Sequence, residues 1–138
     1  MEFVYSRDFP IETVYVDRFG RLKPSMILYF AQEVATDHCV QLGCDWDAMA
    51  AKGLFWAVMR HRIEITKLPM VGQMIRIETW PMPTTRTAYP RSMVAYDAQG
   101  NLKPQFQGNI INIDCIHDLP PFSSSRILDF LSPGQGLL

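Results

Sequence analysis

An α+β fold, one long helix wrapped by a curved antiparallel sheet, is predicted by three features of this 138-residue chain. One stretch, residues 24–43, has a clear helical pattern. The segments after it alternate apolar and polar residues with period two, and the segment before it is rich in aromatic and β-branched residues. The length suits a single domain that buries a core without covalent staples.

Residues 2–17, EFVYSRDFPIETVYVD, predict a bent or bulged strand interrupted by Pro10. DRFGRLK leads into the helix, with Gly20 supplying a turn. In PSMILYFAQEVATDHCVQLG, Pro24 suits the first helical position, where a missing N–H costs nothing, and Gly43 suits the left-handed position that ends a helix. Ile27, Leu28, Ala31, Val34, Ala35 and Leu42 form an apolar arc that also contains His38. Met26, Tyr29, Phe30 and Val40 interrupt the polar arc, so neighbours are expected on more than one side.

CDWDAMAAKG has the length of a loop with a short helical turn ending at Gly53. In LFWAVMRHRIEI, Phe55, Ala57, Met59, His61, Ile63 and Ile65 share one face, expected to pack on the helix. Trp56, Val58, Arg60, Arg62 and Glu64 share the other. After the break KLPMVG, QMIRIETWPM is a second strand, with Ile75, Ile77 and Thr79 opposite Arg76, Glu78 and Trp80. TRTAYPRSMVAYD is a third, DAQG a turn, and QGNIINIDCI the core of a fourth. These four strands are expected to form a meander. Pro120 and Pro121 end the last one, which gives a single domain over 1–120 and a short helix or tail over 121–138. One helix inside such a sheet is the hotdog architecture.

No segment is long and apolar enough to span a bilayer, and no early segment has the pattern of a secretory leader, so a cytoplasmic protein is expected. Three cysteines without a pairing pattern predict reduced thiols. Together with His38, His61 and His117 they lack metal-site spacing, so neither a metal nor a cofactor is expected. The net charge of −1 hides an uneven distribution. Residues 1–51 hold four basic and eight acidic side chains, 52–103 hold eight and three, and 104–138 hold one and three. The basic middle suits an acidic partner or an ordinary solvated strand face. No aromatic residues interleave with a basic run, which argues against nucleic acid.

The stretches AQEVATDHCVQLG and LFWAVMRHRIEITKLPMVGQMIRIETWP, followed by DAQG, resemble the acyl-acyl carrier protein thioesterases of the plant type and their bacterial relatives. The resemblance runs from about Val14 to Asp97 and is most specific in the pattern WxxxRxxIEIxxxPxxGxxIxIxTW. It implies hydrolysis of long acyl thioesters of acyl carrier protein or CoA. The relatives carry two hotdog repeats, and this chain corresponds to the first. Their Asp-x-Asn-x-His motif belongs to the second and does not occur here. A non-catalytic acyl-binding or assembly module is therefore the alternative.

Thioester hydrolysis needs a carboxylate to activate water or attack the carbonyl, and N–H groups to hold the oxyanion. Asp17 lies in a segment resembling the D-x-x-G-H of single-hotdog thioesterases, with Arg21 in place of the His; its plain reading is to satisfy N–H groups of its own turn. Glu33, in the resembling QEVA stretch, is the second candidate; it is one turn from Asp37, and the plain reading of both is a solvated face. His38 is the third, against the reading of a satisfied core histidine. Trp56 and Arg60, from the W-x-x-x-R stretch, are expected to share a strand face and to line a substrate channel or docking surface. Arg60, Arg62, Arg76 and Arg86 are candidates for docking an acidic carrier protein. A lone hotdog leaves an open sheet edge and half a channel, so a homodimer is expected.

Overall fold

The computed structural model describes residues 4–84, 88–98 and 110–119. Its elements are β1 (Tyr5–Pro10), a 3₁₀ turn (Thr13–Tyr15), α1 (Pro24–Leu42), α2 (Trp46–Ala50), β2 (Ala57–Ile65), β3 (Met74–Pro81), β4 (Tyr89–Asp97) and β5 (Ile111–Asp118). The five strands form one antiparallel sheet in the order β1-β3-β4-β5-β2.

The local signals at the ends of α1 hold. Pro24 opens the helix, and Gly43, at φ 74°, closes it by donating its N–H back into the last turn. The buried stripe is Ile27, Phe30, Ala31, Val34, Ala35 and His38. It is turned toward Phe30 and away from Leu28, which is 39% exposed. Aromatic packing explains the rotation: the Phe30 ring stacks on Phe9 of β1 at 4.6 Å and meets Tyr15 edge-on at 5.1 Å. Leu22, Ile75, Ile77, Met93, Ile111 and Ile113 complete the core.

The first strand is shorter than the pattern of 2–17 suggests. Pro10 sits at the end of β1, on a sheet edge where its missing donor is tolerated, and the chain then folds into the 3₁₀ turn. Val16 and Leu22 bridge across a tight turn at Gly20, at φ 78°, whose carbonyl accepts from Val71 N–H. The meander expectation holds for β3, β4 and β5 but not for β2, which pairs with β5 at the far edge. KLPMVG contains no two-residue hairpin signature, and it carries the chain across the sheet instead of reversing it.

The expected inward packing of β2 holds only in part: Ile63 packs against the core, and Ala57 and His61 are half-buried on the expected face. No residue of β2 is buried, and Val58, Met59 and Ile65 are 41%, 57% and 40% exposed. A register shift between Val58 and Arg60 inserts Met59 as an extra residue, so faces exchange along the strand. No described helix is long and apolar enough to cross a membrane.

Candidate functional site

A pocket of about 560 Å³ opens between the C-terminal half of α1, α2 and the neighbouring strand ends. Residues Ala35, Cys39 and Leu42 recur at helical spacing and form one wall. Asp45, Trp46 and Met49 come from the turn into α2 and from α2 itself. Tyr89 and Arg91 of β4, His117 of β5 and Trp56 close the opposite side. The indole N–H of Trp56 donates to the Cys44 carbonyl at 2.7 Å. The same ring meets Tyr89 and His117 edge-on at 5.2 and 6.2 Å. Trp56 thereby ties the end of α1 to the sheet.

Arg91 is the unusual member. It follows the inward alternation of Met93 and Ala95 on β4, and only 7% of it is exposed. Its Nη1 donates to His38 Nδ1 at 2.8 Å and to Thr79 Oγ1 at 3.2 Å, while Thr79 donates to the Ser92 carbonyl at 3.1 Å. An accepting Nδ1 must carry the lone pair, so the guanidinium fixes His38 as the neutral Nε2–H tautomer. The Tyr5 ring stacks on that imidazole at 5.6 Å.

Burial dominates the titration of the surrounding groups. It lowers the His117 pKa below the usual histidine value, with the Arg91 and His61 charges adding to the effect. It pushes the Cys39 thiol up to about 12, with help from Cys44, and the Cys115 thiol up to about 11. At neutral pH these thiols are protonated and are poor nucleophiles. Cys115 also lies 3.0 Å from His61 Nδ1, whose own pKa is lowered by burial. Among the described residues the pocket is therefore a largely apolar cavity with one guanidinium, one carboxylate and a neutral imidazole, better suited to holding a chain than to thiol chemistry.

Asp17 and Glu33 do not line this pocket. Asp17 Oδ1 accepts from the backbone N–H groups of Phe19 and Arg21 at 2.8 and 3.0 Å, and Oδ2 accepts from Arg21 Nε at 3.2 Å. The Arg21 N–H bond is the foremost cause that holds this carboxyl below its usual pKa. Glu33 and Asp37 are bridged by Arg7 of β1, with Nη1 at 3.1 and 2.8 Å, which supplies a cation opposite two adjacent carboxylates. His38 lies on the buried face of α1 and does not meet Glu33.

Trp56 and Arg60 do not share a face, because the extra residue Met59 separates them. Val58 pairs with His117 on the inner side, whereas Arg60 pairs with Ile116 on the outer side. Arg60, Arg62 and Arg76 all fall on the outer face, but carboxylates interleave with them. Arg62 pairs with Glu64 at 2.7 Å, and Arg76 grips Asp8 at 2.6 and 3.0 Å. Arg86 lies outside the described residues. The reading from sequence missed Arg91, His117, Tyr89 and Asp45. For the first two, period-two counting back from Met93 and forward from Cys115 carried the signal.

The fold is shared with solved thioesterase structures. An acyl-ACP thioesterase from Bacteroides thetaiotaomicron VPI-5482 superposes with a TM-score of 0.78 at 18% identity, over 87% of this chain and 46% of that one. The 12:0-ACP thioesterase from Umbellularia californica gives 0.74 at 16% identity, over 88% and 46%. A 1,4-dihydroxy-2-naphthoyl-CoA thioesterase from Synechocystis gives 0.75 at 8% identity, over 89% and 85%. This chain thus spans about half the length of the acyl-ACP thioesterases it resembles. No curated protein matches it in sequence. The family model of the acyl-ACP thioesterase N-terminal domain matches residues 2–114, and the chain belongs to that family.

Proposed function

We propose that this hotdog domain holds the acyl group of long acyl thioesters, carried by acyl carrier protein or CoA, and hydrolyses them when paired with a second copy. The observation that carries the reading is the pocket. Its volume of about 560 Å³ is within the range of small-molecule sites, and its walls are largely apolar, as an alkyl chain requires. The pairing follows from the free edge of β2, where Val58, Met59 and Ile65 are exposed. Asp17 is the proposed base, because its donors keep it ionised and it lies on the turn that leads into α1. Glu33 ranks below it because Arg7 holds it.

A specific observation favours a second reading, a non-catalytic acyl-binding module. The oxygens of Asp17 already accept three hydrogen bonds within its own turn, and Asp17 is not a pocket residue. Acyl-CoA and acyl-carrier-protein substrates offered to the purified chain separate the two readings. Turnover together with binding of a non-hydrolysable acyl thioether supports hydrolysis. Binding without turnover supports the module, and absence of both removes the acyl reading altogether.

A further inference from the structure

The inner face of the sheet buries the guanidinium of Arg91, and the groups that meet it there among the described residues, His38, Thr79 and the Cys39 thiol, are neutral. Among the described residues the ion pairs belong to Arg7, Arg21, Arg62 and Arg76, and none reaches Arg91. The nearby groups do not supply the missing charge: the Cys39 and Cys115 thiols are protonated at neutral pH and the His117 ring is neutral. A buried cation is costly unless an anion or several acceptors meet it, and a guanidinium fork is shaped to take a carboxylate. Nη1 serves both His38 and Thr79, which leaves further donors of the five. Arg91 is also a wall residue of the apolar pocket. Asp45, the carboxylate in that wall among the described residues, is beyond ion-pair distance of Arg91 and disfavours an anion at the α2 end.

We propose that the pocket takes an alkyl chain that ends in a carboxylate, with the carboxylate on Arg91 and the methylenes along Leu42, Met49 and Trp56. The proposal rests on the acyl-binding reading and narrows its ligand class. Two sources present this chemistry: a free fatty acid entering head first, and the far end of an acyl group derived from a dicarboxylic acid.

Calorimetric titration of the full chain at neutral pH with decanoate and with decanol tests the proposal. Decanoate is expected to bind at least about tenfold more tightly, the size of a charge-assisted contact in a desolvated site. The preference should vanish in Arg91→Met and shrink in Arg91→Lys. If Arg91→Met fails to fold, the wild-type ratio and the Lys variant still decide. Equal binding of decanoate and decanol overturns the carboxylate proposal and leaves the acyl reading standing. Binding of neither, nor of a decyl pantetheine thioether, overturns both. A carboxylate preference that persists unchanged in folded Arg91→Met overturns the assignment to Arg91. Decyl pantetheine thioethers with and without a terminal carboxylate identify the source: discrimination between them indicates the far end of an acyl group, and discrimination confined to decanoate indicates a free acid. Either supports the proposal.

Discussion

Arg91 Nη1 lies 2.8 Å from His38 Nδ1, which joins a buried residue of β4 to a buried one of α1. The bond connects the floor of the pocket to the helix that roofs it. Replacing His38 by Leu removes the acceptor and leaves the buried guanidinium with Thr79 and the Cys39 thiol. A loss of about 1–3 kcal/mol is expected, the range for depriving a buried polar group of its partner. Urea unfolding measures it, and an unchanged midpoint would show that the pair adds nothing to stability.

His117 leads to a prediction about pH. Burial, foremost, and the Arg91 and His61 charges lower its folded pKa. The unfolded chain therefore takes up the proton first as pH falls. Stability is full above the unfolded histidine value of about 6.5, declines as pH falls below it, and levels off under the depressed folded value. His61 shifts in the same direction through burial. The urea midpoint should fall between pH 7.5 and pH 5.5, and His117→Asn should flatten that decline. A midpoint that rises toward acid would contradict the sign.

Trp56 combines a hydrogen bond and a wall surface in one side chain. Trp56→Phe keeps a ring beside Tyr89 and His117 but deletes the 2.7 Å donor to the Cys44 carbonyl. A stability loss of about 1 kcal/mol is expected, together with weaker binding of an acyl thioether as the corner between α1 and α2 loosens. Calorimetry would refute the wall role if acyl affinity stayed unchanged.

What the sequence revealed of this fold depended on how local each signal was. Pro24 and Gly43 mark α1 by their own backbone restrictions, and the Asp17 turn was readable from a side chain bonding to nearby N–H groups. The pairing of β2 with β5 depends on contacts far apart in the chain, and no pattern within 54–65 encodes the partner. The bulge at Met59 was hidden because residues 54–59 are an unbroken apolar run with no polar residue to mark a change of face, and alternation starts only at Arg60. Arg91 escaped notice for another reason: a charge is rarely buried, so composition outweighed the alternation with Met93 and Ala95.

The free β2 edge predicts the state of the protein in solution. A second copy pairing there would cover Val58, Met59 and Ile65 and would satisfy the unpaired backbone groups of the edge. Small-angle scattering at micromolar concentration should give a dimer mass, and Met59→Lys with Ile65→Lys should give a monomer. A monodisperse wild-type monomer would remove the pairing from the proposed function.

The candidate bases can be separated by two substitutions that change little in shape. Asp17→Asn keeps the side-chain oxygen that accepts from Phe19 and Arg21 but removes the charge, and turnover should fall by on the order of 100-fold. Glu33→Gln should cost less, because Arg7 already holds Glu33 together with Asp37. Neither should alter binding of an acyl thioether, since neither residue lines the pocket. A dead Glu33→Gln beside an active Asp17→Asn would move the base onto the helix.

Carrier docking should depend on Arg60 more than on its neighbours. Attraction to an acidic carrier needs a cation that is not already neutralised, and Arg76 and Arg62 are held by Asp8 and Glu64. Arg60 is exposed on the outer face of β2 and makes no ion pair among the described residues. Arg60→Glu should therefore raise KM for an acyl-carrier-protein substrate several-fold while leaving KM for the matching acyl-CoA nearly unchanged, and added salt should shrink the difference. Arg76→Glu places two acidic groups together on adjacent strands, so its main effect should be on thermal stability. If both substrates respond equally to Arg60→Glu, or if salt has no effect on the carrier-protein reaction, the outer face does not dock the carrier.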